Sequence, residues 1–226
     1  MKEKPILFST PMIQAILEGR KSQTRRIMKP QPHRIATEVI KSSQFKKGDF
    51  IARFKYLDEE IYEITNIFKC PYGQPGDTLW VKETYYAYGM WLRNGHNKSG
   101  KQSFRFSDTT LTGFKYHYCD DPPENVLPNT KREVYGWFKR PSLFMPHKAA
   151  RILLRVIDIR VERLQDISEE DAIAEGVSLP NYVDQAIRDV RYPDPSTIYA
   201  ELWESINGKG SWDANPWVWV IKFERI

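Results

Sequence analysis

The sequence predicts an α+β fold: a small β-barrel with short flanking helices and one large loop-and-hairpin insertion. Three observations predict it. Short stretches rich in aromatic and β-branched residues recur, each opened by turn residues. Only three segments carry helical signals, and all are short. No internal repeat or low-complexity tract interrupts the pattern. At 226 residues the chain is long enough to bury a sizeable core, and one domain over 1–226 with an insertion at about 89–147 is the expected organisation.

The elements follow in order. A short strand is expected around 6–8, then a helix with a legible start and stop. Thr10 is its N-cap, Pro11 suits the first turn, and Met12, Ile13, Ile16 and Leu17 form one apolar face. Gly19 supplies the left-handed residue that ends it, and a strand follows over 26–28. The prolines at 30 and 32 exclude a helix there. Strands are expected over 48–54, 61–64 and 76–86. Residues 89–135 read as an irregular excursion with a hairpin near 113–118, a partly mobile lid. Strand signal returns over 151–161. Ser168, with Asp171 three residues on, opens a helix that stops at Gly176. A third helix is expected over 196–206, with Ile198, Leu202 and Ile206 on one side, and a last strand closes the chain.

Composition narrows the function classes. Apolar content of 41% and charged content of 28% fit an ordinary soluble protein. No stretch approaches the ~20 apolar residues of a membrane span, and the N-terminus lacks the order of a signal peptide. Cys70 and Cys119 make no disulfide framework, so a cytoplasmic setting is expected. The four histidines at 33, 96, 117 and 147 show no zinc spacing, and no cofactor or metal is expected. The net charge of +5 is uneven: residues 1–56 hold 13 Lys/Arg against 4 Asp/Glu, a balance of +9. That points to an anionic partner, a nucleoside, nucleotide or RNA. Trp80, Tyr85, Tyr86, Trp137, Trp217 and Trp219 are either core or stacking platforms for bases.

The octet 19–26, Gly-Arg-Lys-Ser-Gln-Thr-Arg-Arg, carries most of the functional signal. In a strand leaving Gly19, Thr24 and Arg26 share one face, with Lys21 in the bend before them. Three polar groups converging on a small ligand make a candidate site.

The spacing of Gly19, Lys21, Thr24 and Arg26 resembles the G-x-K-x-x-T-x-R signature of ASCH domains in the PUA-like superfamily. Residues 164–176, Leu-Gln-Asp-Ile-Ser-Glu-Glu-Asp-Ala-Ile-Ala-Glu-Gly, resemble the family's strand-to-helix segment with its acidic residue. Residues 216–226 resemble its last barrel strand, and 137–146 a loop of its larger, often phage-encoded members. The resemblance implies a PUA-like barrel and places Glu175 at the family's acidic active-site position. Small ASCH proteins include a bacterial amidohydrolase acting on N4-acetylcytidine, and Lys21, Thr24 and Glu175 fall on its proposed catalytic positions. On that reading Thr24 attacks the amide carbonyl, Lys21 accepts its proton, and Glu175 orients the lysine or donates to the leaving amine. A lysine base must be neutral; its ordinary pKa of ~10.4 would be lowered by burial and by Arg20, Arg25 and Arg26. An alternative keeps Lys21 charged as an oxyanion clamp and makes Glu175 the base for water. Arg26, Arg20 and Arg25 are expected to bind substrate, with Glu83 as a second acid lining the cleft. The other reading is a non-catalytic RNA or modified-nucleotide binding module, or a phage accessory protein.

Overall fold

The computed structural model describes residues 2–33, 36–42, 48–55, 62–110, 113, 115–177 and 194–226. The molecule is α+β. Its strands are β1 (Glu3–Leu7), β2 (Gln23–Ile27), β3 (Glu38–Lys41), β4 (Asp49–Lys55), β5 (Tyr62–Lys69), β6 (Thr78–Lys82), β7 (Tyr85–His96), β8 (Gln102–Asp108), β9 (His117–Tyr118), β10 (Val126–Leu127), β11 (Gly136–Arg140), β12 (Leu153–Arg163) and β13 (Trp217–Arg225). Its helices are α1 (Thr10–Leu17), α2 (Glu169–Ala174) and α3 (Pro195–Asn207). Among the described residues no helix is long and apolar enough to cross a membrane.

The strands form three open sheets, ordered β1-β6-β12-β13-β2, β3-β4-β5 and β10-β11-β7-β8, the last with β9 paired to β7. This corrects the PUA-like β-barrel expected from the sequence. Closure requires the two end strands of one sheet to pair. In the five-stranded sheet that holds β12 and β13 the ends are β1 and β2, and among the described residues each remains an edge. Local strand signals reveal that strands exist but not which edges meet.

The chain divides into two compact units: unit 1 holds Met1–Lys4, Gln14–Leu79 and Leu153–Ile226, and unit 2 holds Pro5–Ile13 and Trp80–Ile152. The segment read as an insertion, 89–147, lies within unit 2.

In unit 1, β13 is an interior strand, antiparallel to β12 on one side and to the edge strand β2 on the other. Trp217, Val218, Trp219, Val220 and Ile221 are all buried, because both faces of the strand are covered. Val218 and Val220 meet Tyr199 and Trp203 of α3 and Ala172 of α2 in one apolar cluster. On the other face Trp219 stands edge-on to Phe50 of β4, with ring centroids 5.0 Å apart. Helix α3 starts where Asp194 accepts from the backbone N–H of Thr197 at 2.8 Å, with Pro195 in the first turn. Its buried residues are Tyr199 and Trp203, with Ile198 and Leu202 packed against the same cluster; Ile206, expected on one side with those two, is 51% exposed. Aromatic area outweighs aliphatic periodicity there.

In unit 2, β7 and β8 form a long antiparallel hairpin. Its turn is fixed by the Asn97 side chain, which accepts from the N–H groups of Ser99 and Lys101 at 3.0 and 2.9 Å. The sequence reading treats this region as irregular, since its apolar residues are diluted by Gly, Asn and Ser. Of the hairpin expected near 113–118, residue 114 lies outside the described residues, and His117–Tyr118 pair with β7 instead. Likewise the first residue of the strand expected over 61–64 lies outside them.

Candidate functional site

Strand β2 is the anomalous element of unit 1. Its sequence is polar, yet Gln23, Thr24 and Arg25 are buried. Buried polar and charged groups cost free energy unless partners meet them. Side chains alternate along a strand, and the odd positions find those partners on α2 and β12.

Helix α1 ends in a left-handed Gly19, φ 76°, and the N–H groups of Arg20 and Lys21 both return to the Ala15 carbonyl. The bend sends the Lys21 side chain inward, where it donates to the Glu175 carboxylate at 2.8 Å and to the Glu175 backbone carbonyl at 2.7 Å. Both side chains are sealed, with exposures of 0% and 2%. Glu175 caps the C-terminus of α2, so the ammonium sits at the negative end of that helix and satisfies a terminal carbonyl. Gly176 follows with φ 87°. A Cβ there would stand 3.0 Å from the Cβ atoms of Ala15 and Lys21, so the close approach requires glycine.

Arg25 completes the arrangement. Its guanidinium donates to Glu175 at 3.2 Å, to Asp171 at 2.7 Å and to Glu162 of β12 through Nε at 3.0 Å and through a short Nη2 contact. Arg160 bridges Glu162, at 2.9 Å, and Asp171. Three cations thus meet three carboxylates. The Tyr199 ring lies under the Arg25 guanidinium, 5.9 Å from its centroid, and Gln23 donates to the Asp171 carbonyl at 3.3 Å. The Ser168 hydroxyl accepts from the Asp171 N–H at 3.2 Å, which starts α2. The Asp171 carboxylate turns to Arg25 and Arg160.

Burial dominates the electrostatics of Lys21. It pushes the ammonium below the ordinary lysine range; the charge and hydrogen bond of Glu175 oppose this, while Arg26 and Arg25 reinforce it. Burial would raise the Asp171 carboxyl, but the Arg25 hydrogen bond and the charges of Arg160 and Arg25 hold it below the usual range. The Tyr199 phenol is pushed well up, first by burial and then by the nearby Glu175 charge.

Of the residues singled out in the sequence, Lys21, Arg25 and Glu175 are brought together. Thr24 and Arg26 share a face, but it is the opposite one: they stand across from Ile221 and Trp219 on the side facing β4. Arg20 remains largely exposed, paired with Glu18 at 2.6 Å and donating to the Gly176 carbonyl at 3.2 Å. Glu83 belongs to unit 2, where Arg151 grips both its oxygens at 2.9 Å. Glu162, Arg160 and Tyr199 escaped the sequence reading. The signal for the first two was the period-two run of charges at 158, 160 and 162 in a strand. For Tyr199 no local signal existed. Both cysteines are free thiols, and among the described residues no group of three or more His, Cys, Asp and Glu is placed to hold a metal ion.

Compared with protein-family models, curated proteins and solved structures, the chain matches none. None of these comparisons supports an ASCH, PUA-like or amidohydrolase identity, and the functional reading of the site rests on its residues and their geometry.

Proposed function

We propose that unit 1 hydrolyses an acyl group from the exocyclic amine of a cytidine-type nucleoside or base, with Lys21 and Glu175 as the working pair. The observation that carries this reading is a sealed lysine, lowered from its ordinary pKa, 2.8 Å from a sealed carboxylate. A lysine so placed is poised for proton transfer nearer neutrality than a solvated one. Substrate entry beside Arg20 and Gly176 uncovers the sealed amine, and neutral Lys21 takes a proton from water as the water oxygen bonds to the acyl carbon. The C–N bond then breaks, and the proton passes to the departing amine. Glu175 orients the lysine, and Arg25 holds Glu175. Water serves as nucleophile because Thr24 lies on the other face of β2. Arg20, exposed beside Gly176, supplies a cation for a phosphate-bearing substrate.

The test is incubation of the protein with N4-acetylcytidine, with cytidine and acetate quantified by chromatography. Turnover is expected, with kcat/KM rising with pH and levelling below the ~10.4 of a free lysine. Lys21→Ala should lose at least ~100-fold. A folded protein with no turnover on any acylated cytidine, or a Lys21→Ala variant as active as the parent, overturns the reading. A second reading, binding of a nucleotide or RNA without reaction, is favoured by the +9 balance of residues 1–56, which suits an anionic partner and needs no reaction to explain it.

A further inference from the structure

By unit, the charge has a different distribution from the one along the sequence. Unit 2 carries 12 Lys/Arg against 6 Asp/Glu, a balance of +6, and unit 1 carries 22 against 23. The positive character of the molecule therefore resides in unit 2.

The sheet of unit 2 has two unlike faces. On β7 the odd positions Tyr85 and Ala87 turn inward against Met145 and Ala149. The even positions Tyr88, Met90 and Leu92 turn the other way and are half-exposed. Tyr88 lies nearly parallel to Tyr135, centroids 6.4 Å apart and planes 12° apart. Trp137 stands edge-on to Tyr88 at 5.4 Å and to His117 at 4.8 Å. Tyr135 is 54% exposed. This is an aromatic cluster left open to solvent.

Two exposed cations bracket it on the same face. Lys139 stands across from Tyr86, and Arg105 across from Leu92. Six residues of strand separate those register positions, about 20 Å. Flat rings with a cation at each end match a polymer with π-faces and regularly spaced anions. A duplex keeps its π-faces stacked inside, so its bases cannot use the rings.

We infer that this face of unit 2 binds single-stranded nucleic acid, with bases stacked on Tyr135, Tyr88 and Trp137 and phosphates paired with Arg105 and Lys139. The surface belongs to unit 2 and the Lys21–Glu175 pair to unit 1, and it is read out by binding alone, so it stands or falls independently of the hydrolysis.

The experiment is fluorescence anisotropy of the full chain with labelled RNA and DNA single strands of about 12 nucleotides, and with the matching duplex. Single strands are expected to bind more tightly than the duplex, and binding should weaken steeply with added salt. Tyr135→Ala should weaken it about tenfold through the lost stack. Arg105→Glu with Lys139→Glu should weaken it further and flatten the salt dependence. Both changes lie at exposed positions, and an unchanged thermal midpoint confirms that the fold is intact. Tighter binding of RNA than DNA assigns a contact to the 2′-hydroxyl, and equal binding assigns stacking and phosphates only; either supports the inference. No binding of single strands at low salt, equal or tighter binding of the duplex, or affinity untouched by Tyr135→Ala and by the charge reversals overturns it.

Discussion

Asp171 shows how single side chains set the character of the buried network. Its carboxylate accepts from Arg25 at 2.7 Å and pairs with Arg160, which keeps its pKa low in the fold. A carboxyl depressed in the folded state contributes stability that is present above its ordinary value of ~3.9 and is lost as pH falls through the folded value. Urea unfolding from pH 7 down to pH 2 should therefore show Asp171→Asn losing roughly 2 kcal/mol at neutral pH, with a flatter acid limb than the parent. Parallel acid limbs would mean that the depression is absent. At this scale the sequence was partly legible. Lys21 and Glu175 stood out because a lysine after a helix stop and an acid at a helix end are chemically conspicuous. Arg25 was visible as a neighbouring charge and a candidate for binding substrate, not as the centre of an ion-pair network. Its place at the centre depends on which parity of β2 faces α2, and a short polar strand carries no apolar alternation to reveal that.

The elements that build the site are short and depend on their ends. Helix α2 has six residues, so its Ser168 cap and Gly176 exit contribute a large share of its definition. Gly176→Ala forces a β-carbon into left-handed backbone and against the Cβ atoms of Ala15 and Lys21. A loss of about 2 kcal/mol is expected in thermal or urea unfolding, more than the ~1 kcal/mol of Ser168→Ala. A harmless Gly176→Ala would mean that α2 can shift away from Lys21. These ends were readable in sequence because caps and left-handed glycines are local. The β7–β8 hairpin was not, since its pairing register and the Asn97 turn are fixed by contacts that no apolar alternation announces. The barrel expectation failed for a similar reason: strand content is local, but sheet closure is not.

For the molecule as a whole, the balance of +6 in unit 2 predicts where polyanions are held. Two charge-reversed variants with equal net charge test this on heparin. Lys98→Glu with Lys101→Glu alters exposed sites of unit 2, and Lys209→Glu with Lys222→Glu alters exposed sites of unit 1. The first should elute at clearly lower salt; equal elution would place the polyanion contact elsewhere. The network of unit 1 also bears on how the chain is made. Lys21 and Arg25 leave the ribosome 137 to 154 residues ahead of Glu162, Asp171 and Glu175. At about 5–20 residues per second, that interval lasts roughly 7–30 s. Throughout it both cations stay hydrated while residues 80–152 of unit 2 are synthesised, so unit 1 closes only as the last third of the chain emerges.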